Sequence, residues 1–324
     1  MRKQLVILAA ACVAVTAMGA SPVQGRLENV KRLTSQSDVK FENPSFSPDG
    51  KQIAFTRLGY EGLYVMDANG ANLRAISQVP GVGYMYQWSP DSKQILALEA
   101  SCDQSRTLTP NLHAVVVLSV ADGERVQITE PLAEVRPAAW RVSAGKMSIA
   151  TYDKGIMAVP GKIAADAAIG TNATPSRITA DYTVSFITDF DNLYVVDAQG
   201  NRKAIYNGTA FLPKLSPDGK RVGFCDINDD IRVMGIDGTG MTVVAKGFSP
   251  CWVNDTQIVY ERTTDDGHSY ESGELFLGNI AEKTEIALTD TPRAIEMNPS
   301  VSPDGKQIIF VNHNDGQVYI ADLK

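Results

Sequence analysis

Three histidines are the side chains of this chain best suited to bind a metal ion or to transfer protons near neutral pH. They are His113, His268 and His313, and no two stand close enough in the sequence to form a local ligand motif. Histidines at such spacing are more often ordinary loop residues than ligands. We therefore predict no metal site and no cofactor.

A short acidic segment, CDINDDI at 225–231, carries carboxylate and amide oxygens at close spacing. A calcium loop uses oxygens at its first, third and fifth positions, followed by a glycine and a distal bidentate glutamate. The glycine and the glutamate are missing here, so a polar hairpin loop is favoured. The chain also has no Gly-x-Ser-x-Gly elbow for a nucleophilic serine. We predict no catalytic residue, and this prediction disfavours an enzyme without deciding the question.

The four cysteines are Cys12, Cys102, Cys225 and Cys251. Removal of an N-terminal leader would leave an odd number, which permits at most one internal disulfide and a free thiol. Cys225 and Cys251 fall in adjacent repeats, and a bond between them stays an open alternative because disulfide geometry cannot be derived from sequence.

The N-terminus has the composition of a secretory signal peptide. Met1-Arg2-Lys3 is followed by the run LVILAAACVAVTAMGA, which is apolar and ends in small residues. We expect a signal peptide over 1–25, a mature domain over 26–324 with no membrane span, and a periplasmic or secreted bacterial protein. The alternatives are an uncleaved anchor and a lipid-anchored outer-membrane form modified at Cys12. The net charge of -7 disfavours nucleic acid as a partner.

The elements that must position these side chains are set by a repeated phrase. FSPDGKQIAF at 46–55 returns as LSPDGKRVGF at 215–224 and VSPDGKQIIF at 301–310, with a worn copy, WSPDSKQILA, at 88–97. The serines of the four copies are separated by 42, 127 and 86 residues. These gaps are close to one, three and two periods of about 42 residues, the period of β-propeller blades.

Each repeat predicts four short strands. SPDG is a turn, because proline fixes φ, aspartate caps locally and glycine accepts a positive φ. An alternating strand follows, then a variable loop and a second hairpin such as GLYVMDANGANLRAIS at 62–77. A turn must recur in every repeat whereas a catalytic carboxylate need not, so we assign the SPDG aspartate to structure.

We predict an all-β protein, a β-propeller of seven four-stranded blades. The predicted blades are 41–78, 83–130, 135–180, 181–208, 210–247, 248–290 and 295–324. If 152–190 is one long insertion, the third and fourth blades fuse and the count is six. The last blade ends without an outer strand, and NVKRLTS at 29–35 has the outer-strand pattern. We therefore predict that an N-terminal strand closes the ring, which removes exposed sheet edges.

The phrase SPDGKxIxF followed by LYVMDANG is similar to the TolB-like, or WD-like, β-propeller repeats of exported bacterial proteins. The resemblance covers 29–324 and implies the fold far more firmly than a function. The family's namesake has an α/β domain before its propeller, and here the leader runs directly into the closing strand, so no such domain is expected. Some relatives are metal-dependent polysaccharide lyases that use histidines of the propeller channel.

In a four-stranded blade, the loops after the second strand and the links between blades share one face, opposite the SPDG turns. These loops vary in length, and function is usually carried by variable loops on a rigid scaffold. The predicted binding residues on this face are Tyr60, Glu61, Tyr84, Tyr86, Arg106, Arg136, Asp229, His268, Tyr270 and His313.

Aromatic rings with scattered charge suit a peptide or a glycan. We therefore predict an exported binding scaffold for a protein or peptide partner in the cell envelope, with a glycan as another candidate ligand. The alternative is a carbohydrate-active enzyme, such as a metal-dependent oligogalacturonate-type lyase, that uses His268 and His313.

Overall fold

The computed structural model describes residues 25–101, 112–133, 138–143, 146–151, 155–159, 185–188, 191–196 and 201–324. The regular elements in these ranges are short antiparallel β-strands, in sheets that follow one another along the chain. The all-β propeller prediction is confirmed.

Five sheets have four strands. The first contains β2 (Phe41–Phe46), β3 (Gln52–Arg57), β4 (Glu61–Asp67) and β5 (Arg74–Pro80). The second contains β6 (Gln87–Trp88), β7 (Gln94–Ser101), β8 (Leu112–Ser119) and β9 (Arg125–Gln127). Further along come β16 (Ala210–Leu215), β17 (Arg221–Asp226), β18 (Asp230–Gly235) and β19 (Thr242–Lys246), then β20 (Phe248–Trp252), β21 (Gln257–Asp265), β22 (Tyr270–Asn279) and β23 (Thr284–Ala287). The last contains β24 (Glu296–Val301), β25 (Gln307–Asn312), β26 (Gln317–Leu323) and β1 (Leu27–Arg32).

Two sheets with three described strands lie between β9 and β16. One contains β10 (Ala138–Ser143), β11 (Lys146–Thr151) and β12 (Gly155–Ala158), and the other contains β13 (Ser185–Thr188), β14 (Asn192–Val196) and β15 (Arg202–Asn207). The prediction of seven four-stranded blades is therefore not confirmed. The propeller has six blades, which is the count of the stated alternative, and the prediction of seven is wrong. The count failed here because 135–208 contains no SPDG turn to mark where a repeat begins.

The N-terminal strand completes the last sheet, as predicted. β1 pairs antiparallel with β26, and the sheet order is β1-β26-β25-β24. The backbone N–H of Gly25 donates to the carbonyl of Lys324 at 2.8 Å, and the N–H of Lys324 donates to the carbonyl of Arg26 at 2.9 Å. The two ends of the described chain are thus fastened to each other.

The SPDG phrase forms the turn between the first and second strands of a sheet. In the first copy, Ser47 Oγ donates to Asp49 Oδ1 at 2.7 Å and accepts the N–H of Gln52 at 3.0 Å. Asp49 Oδ1 also accepts the N–H of Lys51 at 3.1 Å, and Gly50 has a φ of 72°. The same serine–aspartate bond recurs at 89–91, 216–218 and 302–304. These contacts occupy the aspartate in holding the turn.

The core lies between neighbouring sheets. Ile53, Phe55 and Met66 of the first sheet are buried against Ile309 and Val311 of the last sheet. Ala54, Leu63 and Val65 lie on the other face of the first sheet and pack against the second sheet. The inner strands are therefore buried on both faces. The scaffold that presents the loops is therefore built of tightly packed sheets.

Candidate functional site

A repeated bulge shapes the first strand of four sheets. Asn43, Leu212, Ser249 and Asn298 have φ between 50° and 54°, and the strand register shifts at each of them. A positive φ is uncommon outside glycine, and a bulge bends a strand and redirects its side chains. The sequence analysis missed this feature, although the signal was present: each of the four residues precedes a proline.

Three of the bulge residues link neighbouring sheets near the start of the first strand. Asn43 N–H donates to Asn298 Oδ1 at 3.2 Å, and the N–H of Asn298 donates to Glu261 Oε2. Ser249 Oγ donates to Glu261 Oε1 at 3.0 Å. These bonds tie together the sheets that contain β2, β20 and β24, at the face where the variable loops begin.

We call this face the variable rim. It is made by the loops after the second strands, the links between sheets and the strand residues that adjoin them. Seven of the predicted binding residues are on it: Tyr60, Glu61, Tyr84, Asp229, His268, Tyr270 and His313. Arg106 and Arg136 lie outside the described residues. Tyr86 also lies in a link, and its side chain is treated separately below.

The structure brings four rings of the variable rim together. Tyr60 and Tyr84 meet edge to face with ring centroids 5.2 Å apart, and Tyr270 and His313 meet in the same way at 5.2 Å. Lys40 links the two pairs: its carbonyl accepts the N–H of Leu58, in the turn that contains Tyr60, at 2.8 Å, and its Nζ donates to the carbonyl of His313 at 3.2 Å. We call the four rings the aromatic cluster. Edge-to-face rings are a favourable aromatic arrangement. The four rings come from the β3–β4 turn, the β5–β6 link, the start of β22 and the β25–β26 turn.

Glu42 lies beneath this cluster at the start of β2. Its Oε1 accepts the N–H of Tyr60 at 2.9 Å. Burial raises the pKa of Glu42 above its usual value. Burial also raises the pKa of the Tyr60 phenol, and the Glu42 carboxylate adds to that effect. Glu42 therefore places an acidic side chain directly beside Tyr60.

Glu261 is a buried carboxyl group that the sequence analysis did not single out. In the strands β3, β17 and β25 the corresponding position holds Thr56, Cys225 and Val311. Glu261 accepts hydrogen bonds from the neutral donors Ser249 Oγ and Asn298 N, and burial raises its pKa to about 7. The available signal was a glutamate at a position where other repeats have uncharged residues.

A second buried carboxyl, Glu296, lies at the seam between the last two sheets. Burial raises its pKa to about 7, and the neighbouring carboxyl of Glu274, with which it shares a hydrogen bond, adds to the shift. Glu274 Oε2 accepts the hydroxyl of Thr289 at 2.5 Å. A neighbouring carboxyl disfavours the charged form of a buried carboxyl, so Glu274 helps to hold Glu296 protonated below about pH 7.

Tyr86 takes the place of the bulge proline in its repeat and braces the first sheet. Its hydroxyl accepts from Ser45 Oγ at 2.9 Å and lies 2.5 Å from the carbonyl of Asn43 and 2.8 Å from that of Ala54. Burial raises the pKa of this phenol well above its usual value. These contacts fit a structural role, so we leave Tyr86 out of the binding surface.

In the acidic loop at 225–231, the carboxylates of Asp226 and Asp230 bind groups of the same sheet. Asp226 Oδ1 accepts the N–H groups of Asn228 and Asp230 at 2.8 and 3.0 Å, while Arg232 Nε donates to Asp226 Oδ2 at 2.6 Å. Lys246 Nζ lies 2.7 Å from Asp230 Oδ1. The predicted polar hairpin loop fits these contacts, and Asp229 stands exposed at its tip.

The histidines and cysteines stay apart in the described ranges. His113 is in β8, His268 is in the β21–β22 turn and His313 is in the β25–β26 turn. No three His, Cys, Asp or Glu side chains of the described ranges converge closely enough to hold a metal ion.

Cys225 and Cys251 are free thiols, so the disulfide alternative is wrong. Burial raises the pKa of Cys225 to about 12, and Cys251 Sγ accepts the N–H of Val301.

Comparisons with known proteins define the class. No protein-family model and no curated protein matches the sequence. The β-propeller domain of Cps50 (Swd1) from Myceliophteria thermophila superposes with a TM-score of 0.56 at 14% identity, covering 92% of this chain and 99% of that one. A protein assigned as TolB from Agrobacterium tumefaciens superposes with a TM-score of 0.51 at 15% identity, covering 91% and 97%.

An oligogalacturonate lyase with bound manganese covers 94% of this chain and 98% of its own at 17% identity, with a TM-score of 0.45. We draw no argument from a likeness at that level. The chain is a β-propeller protein, and its structural neighbours include TolB-like propellers. In the part of the chain that the structure describes, no helix has the length and apolarity to cross a membrane.

Proposed function

We propose that this protein is an exported binding scaffold that recognises a protein or peptide through the variable rim. The proposal rests on the distribution of exposed large apolar side chains, which are concentrated on the variable rim. Of the thirteen exposed large hydrophobic residues in the described ranges, nine belong to the variable rim. They are Leu58, Tyr60, Tyr84, Leu112, Leu132, Phe211, Leu212, Ile227 and Tyr270.

The other four exposed residues supply the contrast. Val30, Val243 and Ile286 lie on the fourth strands of their sheets, and Met241 is in the β18–β19 turn on the opposite face. Single exposed apolar residues are normal on protein surfaces, whereas apolar residues concentrated on one face mark interaction sites. Aromatic residues, which are enriched in protein interfaces, make up four of the nine.

The cellular setting is part of the same proposal. Residues 1–25 have the signature of a cleaved leader, although 1–24 are outside the described residues. The mature protein would then be the single propeller domain 26–324, working in the periplasm or outside the cell. The partner would be a protein or peptide of the cell envelope.

Site-specific photo-cross-linking in the native cell tests the proposal. A photoreactive phenylalanine analogue is placed at Phe211 or Ile227 of the variable rim, and a matched control is placed at Met241 on the opposite face. Phe211 and Met241 are similarly exposed, at 45% and 49%. We expect a discrete protein adduct at 211 or 227 and none at 241. Equal adducts at all three positions, or none, would contradict the proposal.

The polysaccharide lyase remains the alternative prediction, and it has its own measurement. The purified protein is incubated with oligogalacturonate and Ca²⁺ or Mn²⁺, and unsaturated products are measured. Turnover that is lost in a His268→Ala or His313→Ala variant would replace the scaffold proposal with the enzyme. No specific contact among the described residues favours this second function.

A further inference from the structure

The aromatic cluster of the variable rim is open to a ligand. Tyr60, Tyr84 and Tyr270 are exposed to 36%, 40% and 40%, although each ring contacts or lies near another ring of the cluster. The three tyrosines come from separate segments of the chain, and each keeps more than a third of its surface exposed, so a ligand can reach them. Ring faces carry the negative part of the aromatic quadrupole.

Carboxylates reinforce this negative potential from below and from the side. Glu42 is joined to the N–H of Tyr60, and it is within electrostatic reach of both Tyr60 and Tyr270. Asp265 is the cross-strand partner of Tyr270 in the β21–β22 pair. The ring faces and the carboxylates therefore attract the same kind of ligand, one with a positive charge.

One cation lies at the edge of the cluster. Lys40 Nζ donates to the carbonyl of His313 at 3.2 Å, and together with burial it lowers the pKa of His313. The imidazole is thus favoured in its neutral form, so it acts as another ring of the cluster and adds no positive charge.

We propose that the cluster of Tyr60, Tyr84, Tyr270 and His313 binds a lysine or arginine side chain of a partner peptide, held by the ring faces and by Glu42. The charge complementarity supports this occupant: a cation over an aromatic face gains electrostatic energy, more so when it is partly desolvated. The inference rests on the proposed binding function and names the chemistry of the partner at its central contact.

Peptide titration with the mature protein tests the inference. The probe is a fluorescein-labelled octapeptide of alternating glycine and lysine, and its anisotropy is measured at physiological salt. The same peptide with every lysine acetylated is the matched ligand control. We expect the lysine peptide to bind at least about tenfold more tightly, because acetylation removes the charge that the rings and carboxylates recognise.

Variants locate the binding on the protein. Tyr60→Ala combined with Tyr270→Ala is expected to weaken binding about tenfold, the loss of roughly two partly desolvated cation–π contacts. Glu42→Gln is expected to weaken it about threefold. Glu282→Gln, an exposed residue on the opposite face, removes one charge and should also leave binding unchanged.

Three outcomes would overturn the inference. Equal binding of the acetylated peptide would show that charge is not recognised. Equal weakening by Glu282→Gln and Glu42→Gln would show that only the net charge of the protein matters. Binding of an oligogalacturonate probe in place of the lysine peptide would assign the cluster to a glycan. A discrete cross-link at Phe211 or Ile227 together with any of these results would leave the proposed function intact.

Discussion

Single residues decide the electrostatics of this molecule, and Glu261 is the clearest case. Repetition let the sequence predict the role of Asp49, because a turn residue recurs in every copy. Glu261 occurs at its position in one described repeat, and its burial follows from the bulges of β20 and β24, which donate Ser249 and Asn298 to it. Such a contact joins residues distant in sequence, so sequence patterns could not show it.

The pKa of Glu261 makes a prediction for stability against pH. A carboxyl whose pKa is about 7 in the folded state and 4.5 when unfolded binds more protons when folded between these values. The free energy of unfolding should therefore fall as the pH rises from about 4.5 through 7, by on the order of 3 kcal/mol for this group. Glu261→Gln should flatten this fall, measured by urea unfolding at pH 5 and pH 8.5.

Glu296→Gln should act in the same direction, because its pKa is also raised to about 7. Glu282→Gln, at an exposed site, is the matched control and should keep the slope of the parent. An unchanged slope in both buried-site variants would show that Glu261 and Glu296 titrate normally.

At the scale of the element, the turns and hairpins were the part that sequence could predict. SPDG and Asn-Gly turns can be predicted from the sequence, because their residue types favour only a few backbone conformations. The bulges also had a signal in the sequence, a residue followed by proline at a fixed place in the repeat. These pairs are at 43–44, 212–213, 249–250 and 298–299. They were missed because a bulge is defined by its pairing partner, which the sequence of one strand does not contain.

The SPDG turn predicts a loss of stability without a loss of binding. Asp49→Ala removes the acceptor for Ser47 Oγ and for the N–H of Lys51, which should cost about 1–2 kcal/mol of unfolding free energy. Peptide binding at the variable rim should be unchanged, because the turn lies on the opposite face. Asp38→Ala, at an exposed position outside the repeat, is the control and should unfold as the parent does. Normal stability with lost binding would give the turn a functional role.

At the scale of the whole molecule, the ring closure was predictable and the number of blades was not. The missing outer strand of the last repeat and the matching pattern at 29–35 implied that β1 completes the sheet, and the structure has that pairing. The arc from 135 to 208 lacks the SPDG marker, so nothing in its sequence separates a worn blade from an insertion.

Deleting residues 26–36 should destabilise the ring. The deletion removes β1, exposes the edge of β26 and also removes Thr34, whose hydroxyl accepts the N–H of Val318 at 3.0 Å. We expect the melting temperature to fall by about 10 °C or more, since several kcal/mol of pairing are lost. Circular dichroism on heating measures this, and an unchanged melting temperature would mean that β1 does not stabilise the closed ring.

The fastening of Gly25 and Arg26 to Lys324 also sets the order in which the molecule can be assembled. β1 has no partner until β26, near the other end of the described chain, has been synthesised. Throughout that interval β1 and the unfinished last sheet are open edges, available to other chains as well as to each other. The last sheet is therefore complete only when β26 is present. A polypeptide that lacks β26 leaves the edges of β1 and β25 unpaired, and unpaired edges can aggregate.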